Sequence, residues 1–118
     1  MDYKFNYTTN LCYLLNNQNQ VLLIMKKKGF GVGKWNGPGG KVKLGENPEQ
    51  SAMREVEEET GYQPANLQNL GFIEFIWPHK EEYNQICHIF ITKNFNFELS
   101  QFFLQNPSCC NFFNGHLE

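Results

Sequence analysis

The chain has 118 residues, 41% hydrophobic and 15% aromatic, and a formal net charge of -2. That length allows one domain over residues 1–118, and the near-neutral balance argues against a nucleic-acid partner, which calls for a long basic stripe. The longest aliphatic run, residues 21–25, is too short to cross a bilayer, and the first ten residues lack a signal-type apolar stretch, so a soluble, cytoplasmic protein is expected.

In chain order, residues 7–15 and 20–26 are β-rich runs separated by Asn16, Asn17, Gln18 and Asn19, which reads as a hairpin. Thr9 and Asn10 lie near the start of its first strand, where polar residues are ordinary. Residues 26–40, KKKGFGVGKWNGPGG, form a glycine-rich loop with two aromatic residues. Its GFGVG run fails as a dinucleotide-binding turn, because no helix follows and Pro-Gly-Gly intervenes.

Asn47 suits an N-cap, Pro48 the first helical position, Gln50 the far end of a capping box and Gly61 the residue past the last turn, so a helix is predicted over 48–60. At roughly 100° per residue, Glu55, Glu58 and Glu59 share about one quadrant, beside an apolar arc of Ala52, Met53 and Val56. Like charges at these spacings disfavour a helix. A hard divalent cation would neutralise them while leaving positions for water and phosphate oxygens, whereas the same residues could also form a solvated acidic face. Charge is distributed unevenly: six of ten basic residues fall within 26–43 and six of twelve acidic ones follow within 46–59. That arrangement suits a small polyphosphate bridged by metal.

Beyond the helix, 63–68 reads as a loop, 70–77 as a strand with Phe75 and Trp77 as candidate pocket walls, 78–82 as a turn and 83–93 as a buried partner strand. Residues 94–118 hold six phenylalanines without a period, enough to cover a sheet but not as a long amphipathic helix. Cys12, Cys87, Cys109 and Cys110 have no zinc-like spacing and read as reduced thiols. His79, His88 and His116 are scattered, which disfavours a transition-metal site.

Residues 40–62 match G-x5-E-x7-R-E-U-x-E-E-x-G-U, U being apolar, at Gly40, Glu46, Arg54, Glu55, Val56, Glu58, Glu59 and Gly61, with Tyr62 where an aliphatic residue is usual. This resembles the signature of the Nudix hydrolases. The loop KKKGFGVGKWNGPGGKV is similar to that of the subgroup acting on oxidised purine nucleoside triphosphates such as 8-oxo-dGTP, the MutT-like enzymes of nucleotide sanitation. The resemblance covers about residues 8–93. It implies an α/β fold, an α/β/α sandwich around a mixed β-sheet, with the family's C-terminal strand and closing helix unrecognisable in 94–118.

By the same resemblance the activity is nucleoside triphosphate diphosphatase chemistry giving a monophosphate and pyrophosphate, with Mg2+ as cofactor and Mn2+ as a substitute. Glu55, Glu58 and Glu59, with the Gly39 carbonyl, are the implied metal ligands. Arg54 pairs with Glu46 or Glu55, and either Glu55 or Glu46 is the base. Asn36 reads the purine edge, Phe30 packs near the base, Lys41 lies close to the phosphates, and Lys26 is a weaker phosphate or sugar contact. The implied partner is the nucleotide substrate, with monomer and homodimer both open. The open alternatives are a broad nucleoside-diphosphate-linked pyrophosphatase and a nucleotide-binding module without turnover.

Overall fold

In the computed structural model the described residues are 3–25 and 33–93, together with the backbone of 110–114. Among the described residues seven strands and one α-helix follow the order β1 (Tyr7–Leu15), β2 (Gln20–Met25), β3 (Trp35–Asn36), β4 (Gly39–Lys41), α1 (Pro48–Thr60), β5 (Gln68–Phe75), β6 (Gln85–Thr92) and β7 (Cys110–Asn114). A 3-10 turn, Glu81–Tyr83, precedes β6.

All seven strands belong to one mixed sheet. The turn between β1 and β2 is stabilised by Asn16, whose Oδ1 accepts from the Gln18 and Gln20 N–H groups at 2.9 Å, and by Asn19 in the left-handed region at φ 58. β1 runs parallel to β6 from Tyr7↔Gln85 to Leu14↔Thr92, and β6 pairs antiparallel with the edge strand β5. A parallel pair needs a crossover, and the intervening elements, α1 among them, provide the excursion. β1 and β2 touch only at their turn end, Leu14↔Leu22 and Leu15↔Val21. Where they diverge, β4 pairs with β1 and β3 with β2.

Helix α1 closes one face of this sheet. Its capping box is borne out: Asn47 Oδ1 accepts from Gln50 N–H at 2.8 Å and Gln50 Oε1 accepts from Asn47 N–H at 3.0 Å. At the other end Gly61 adopts φ 75 and donates its N–H to the Glu57 carbonyl at 2.8 Å, a conformation that glycine reaches without a Cβ clash. Ala52 and Val56 are fully buried against Cys12, Leu14, Leu22 and Phe90, the inward-facing positions of β1, β2 and β6. Each large aliphatic or aromatic side chain so buried stabilises the fold by about 1.5–3 kcal/mol, and this seam fixes which helix face is left for chemistry.

The opposite outcome holds at the sheet's far edge, where Leu70, Phe72, Ile73 and Phe75 of β5 are exposed. β7 adds to β2 from Gln20↔Asn114 to Ile24↔Cys110, in a stretch whose sequence has no strand alternation. Because Ile24 also pairs with Asn36, β7 and β3 must lie on opposite edges of β2. Among the described residues no helix is long and apolar enough to cross a membrane.

Candidate active site

Alternation along β1 sends Asn10, Cys12 and Leu14 toward α1 and Tyr7, Thr9 and Leu11 toward the other face. Asn10 is a buried polar residue in this inward row, and its amide joins three elements: Nδ2 donates to Ser51 Oγ at 2.8 Å and to the Gly40 carbonyl at 3.2 Å. Its Oδ1 is buried without a partner among the described residues. The amide thus draws β4 and the start of α1 onto β1. Nothing in its strand-end setting distinguished it; the signal was a polar side chain at an inward parity.

β4 is the floor of the site. A Cβ on Gly39 would stand 2.0 Å from the Asn10 carbonyl oxygen, so glycine is required for β4 to lie this close to β1. A Cβ on Gly40 would stand 2.7 Å from both the Glu55 carboxyl carbon and its Oε1. Glu55 therefore rests on bare backbone, and Glu59 Oε2 accepts from Gly39 N–H at 3.3 Å.

Arg54 organises the carboxylates. Its Nε and Nη2 grip Glu46 in two parallel bonds of 2.7 and 3.0 Å, its Nη1 reaches Glu55 Oε1 at 2.8 Å and Glu58 Oε2 at 3.3 Å, and Nη2 also donates to the Lys41 carbonyl at 3.2 Å. The planar guanidinium suits this task, because a fork of fixed donors orients a carboxylate as a point charge would not. Glu46 is held further by the Lys43 N–H at 2.9 Å. The Arg54 hydrogen bonds, with the Lys43 amide second, lower the Glu46 carboxyl to about 2, and the Glu46 bonds push the Arg54 guanidinium upward.

The chemistry of the donor set fits a hard cation: Glu55, Glu58 and Glu59 lie on one helix face beside the Gly39–Gly40 backbone, and all offer oxygen. Among the described residues, however, no three acidic, histidine or cysteine groups already converge to the spacing that a bound ion needs. Arg54 Nη1 bonds Glu55 and Glu58 and the Gly39 amide bonds Glu59, while Glu58, 54% exposed in its side chain, has freedom to turn.

The remaining expected residues are more dispersed. Asn36 is exposed on β3, with its Oδ1 accepting from Gly37 N–H at 2.9 Å. Lys41 forms no ion pair with a carboxylate among the described residues; its ammonium stands 4.2 Å from the ring centroid of Tyr7, a contact sequence reasoning missed. Lys26 and Phe30 lie outside the described residues, as do the tail residues 94–109. Cys12 and Cys87 are free thiols; burial pushes Cys12 up to about 12 and raises Cys87, so neither is poised as a nucleophile.

A family model described as the NUDIX domain matches residues 6–103. The chain belongs to the Nudix family. Among curated relatives, an oxidized purine nucleoside triphosphate hydrolase from Danio rerio is 46% identical over 85 residues, 72% of this chain and 54% of its own length. A putative 8-oxo-dGTP diphosphatase from Bacillus subtilis is 40% identical over 65 residues, 55% of this chain and 42% of its own. The chain thus spans about half the length of the curated relatives it matches. In fold it is similar to a MutT Nudix hydrolase from Burkholderia pseudomallei, with a TM-score of 0.68, 24% identity, and coverage of 76% of this chain and 68% of that one. It is also similar to the Nudix domain of Shewanella oneidensis NrtR, with a TM-score of 0.73, 18% identity, and coverage of 95% and 75%.

Proposed function

We propose that this Nudix chain is a Mg2+-dependent pyrophosphohydrolase of nucleoside triphosphates, acting on oxidised purine nucleotides of the 8-oxo-dGTP kind and releasing a nucleoside monophosphate and pyrophosphate. The observation that carries the reading is the Arg54 clamp: one guanidinium holds Glu46, Glu55 and Glu58 while Gly40 supplies a bed for the Glu55 carboxylate. The names of the Danio rerio and Bacillus subtilis relatives support the substrate class.

Glu55, Glu58 and Glu59, with the Gly39 carbonyl, would hold the cation. When bound, it neutralises phosphoryl oxygens and acidifies a coordinated water. The protein's own part is to orient and to accept a proton. Glu55 suits the base, since it stands on the helix face beside the floor of the site. Glu46 suits an orienting role, because both its oxygens are engaged and its carboxyl is lowered to about 2, which leaves a weak proton acceptor. As water adds to phosphorus, its proton passes to Glu55 and the bridging oxygen leaves with the electron pair. Asn36, offering Nδ2, and Phe30 would meet the base, and Lys26 the phosphates. The setting is cytoplasmic and the partner is the nucleotide.

Pyrophosphate release from 8-oxo-dGTP, dGTP and ADP-ribose, with Mg2+ and with chelator, tests this reading. Preference for the oxidised nucleotide is expected, dependent on metal and reduced about 100- to 10,000-fold in Glu55→Gln. ADP-ribose as the favoured substrate would replace it with the broad pyrophosphatase reading. Binding without turnover of any of the three would replace it with a binding module.

A further inference from the structure

Asn10 and Ser51 are polar side chains in the seam between β1 and α1, where the neighbouring inward positions, Cys12, Leu14, Ala52 and Val56, are apolar. Asn10 is 1% exposed and Ser51 0%. Asn10 faces Gly40 across the β1–β4 ladder, and its Nδ2 reaches both the carbonyl of that partner, at 3.2 Å, and Ser51 Oγ, at 2.8 Å. Turned the other way, the amide would set its oxygen against the Gly40 carbonyl, acceptor against acceptor. The orientation that serves both partners leaves Oδ1 buried without one among the described residues, a cost that an apolar side chain of the same shape would avoid.

The residue that carries this cost directs a chain of contacts into the site. Ser51 Oγ accepts from Asn10 and also from Arg54 Nη2, at 3.4 Å. A hydroxyl has two acceptor positions and one hydrogen, so with both acceptors taken the hydrogen is left for the Lys41 carbonyl, 3.4 Å away. The same carbonyl accepts from Arg54 Nη2 at 3.2 Å. Nη2 therefore lies against two acceptors set from the core, while the rest of the fork holds Glu46, Glu55 and Glu58. At the other end of the Asn10 amide, Gly40 is the bed on which Glu55 rests. One buried amide thus touches both supports of Glu55, the backbone beneath it directly and the guanidinium beside it through Ser51.

We infer that Asn10 and Ser51 are positioning residues for the hydrolytic site, fixing from the core side the Gly40 backbone under Glu55 and the Arg54 guanidinium that orients the carboxylates. The inference rests on the proposed function in assigning hydrolysis to these carboxylates, whereas the orientation of Arg54 is read without turnover. Both residues lie at open positions of the sequence pattern or outside it, and both are too buried to meet substrate.

Arg54 is the chain's only arginine, so a nitrogen–proton correlation spectrum contains a single arginine Nε–H signal, and its solvent exchange reports how firmly the planar guanidinium is held. The variants are Asn10→Val, Ser51→Ala and the two together, each measured for denaturant unfolding, Arg54 exchange and nucleotide hydrolysis. Each single change strands a buried polar partner and is expected to lower stability, while the double change removes both members and recovers most of that loss. The site is not expected to recover. In the double variant Arg54 Nε–H exchange should speed about two- to ten-fold, the range set by losing one hydrogen bond. Its kcat should fall about ten-fold with KM within about two-fold of wild type, as for lost alignment in the transition state. Ser51→Ala, which sets a strong helix former in α1, gives the same exchange reading should the double variant not fold. A purely structural pair would lose stability and rate together and regain both in the double variant. Wild-type Arg54 exchange in the folded variants would overturn the inference, as would wild-type kcat in an active enzyme whose Arg54 exchange has quickened. Faster exchange in a chain whose wild type turns over no nucleotide would leave the positioning of Arg54 standing and defeat the functional reading alone.

Discussion

Replacing Gly40 by alanine separates the chemistry of the site from its folding. The added Cβ would stand 2.7 Å from the Glu55 carboxyl carbon and Oε1 and 3.0 Å from Oε2, and ordinary contact begins at 3.4 Å, so the carboxylate must retreat. The atoms met are the far end of a flexible side chain, and an off-rotamer adjustment of that kind costs about 0.5–1.5 kcal/mol. Catalysis is less forgiving, since a displacement on the order of 1 Å at a reacting group can cost about 100-fold in rate. Gly40→Ala is therefore expected to unfold within a few degrees of wild type and to lose about 100-fold in kcat. Gly39→Ala is the contrasting case, because its Cβ would stand 2.0 Å from the Asn10 carbonyl oxygen, which cannot move without separating β4 from β1. About 3 kcal/mol or more of stability should go with it. Thermal melts and steady-state rates on both variants make the comparison. Full activity in Gly40→Ala, or a melting loss equal to that of Gly39→Ala, would refute the assignment of Gly40 as the bed of Glu55.

Three further outcomes follow from the clamp and its supports. Arg54→Lys should retain the charge but lose the bidentate grip on Glu46, lowering kcat/KM at least ten-fold with little change in circular dichroism. Glu46 has its folded-state carboxyl lowered, so its contribution to stability is present above the unfolded value of about 4.3 and is lost as pH falls through about 2. Urea melts of Glu46→Gln should accordingly show a shallower loss of stability between these pH values than wild type; parallel curves would contradict the shift. Asn10→Ala removes the donor that serves Ser51 Oγ and the Gly40 carbonyl and should cost about 1–3 kcal/mol in denaturant unfolding.

What could be read from the sequence is what is decided locally. The cap residues Asn47, Pro48, Gln50 and Gly61 act within one turn of their own positions, and the structure places α1 at the expected bounds, Pro48–Thr60. The Glu46–Arg54 bond was also within reach, because only the N-cap residue and fewer than two turns of helix separate the two. Contacts set by strand order were not. Tyr7 meets Lys41 only because β4 pairs with β1 at Thr9, and Asn10 becomes buried only because β1 is enclosed between β4 and β6 with α1 above it. β7 joins β2 through backbone pairing, which needs no side-chain alternation and leaves no pattern to find. The metal ligands show a related limit: spacing puts three carboxylates on one face, but their directions are set by partners off that face pattern, Arg54 for Glu55 and Glu58 and the Gly39 amide for Glu59.

The most direct measurement is the 31P spectrum of the products formed from 8-oxo-dGTP with Mg2+, wild type against Glu59→Gln. The account predicts equal amounts of nucleoside monophosphate and pyrophosphate from the wild-type protein and a large loss of both in the variant. Orthophosphate as the product, equal turnover by the variant, or no turnover by a folded wild-type protein would contradict it.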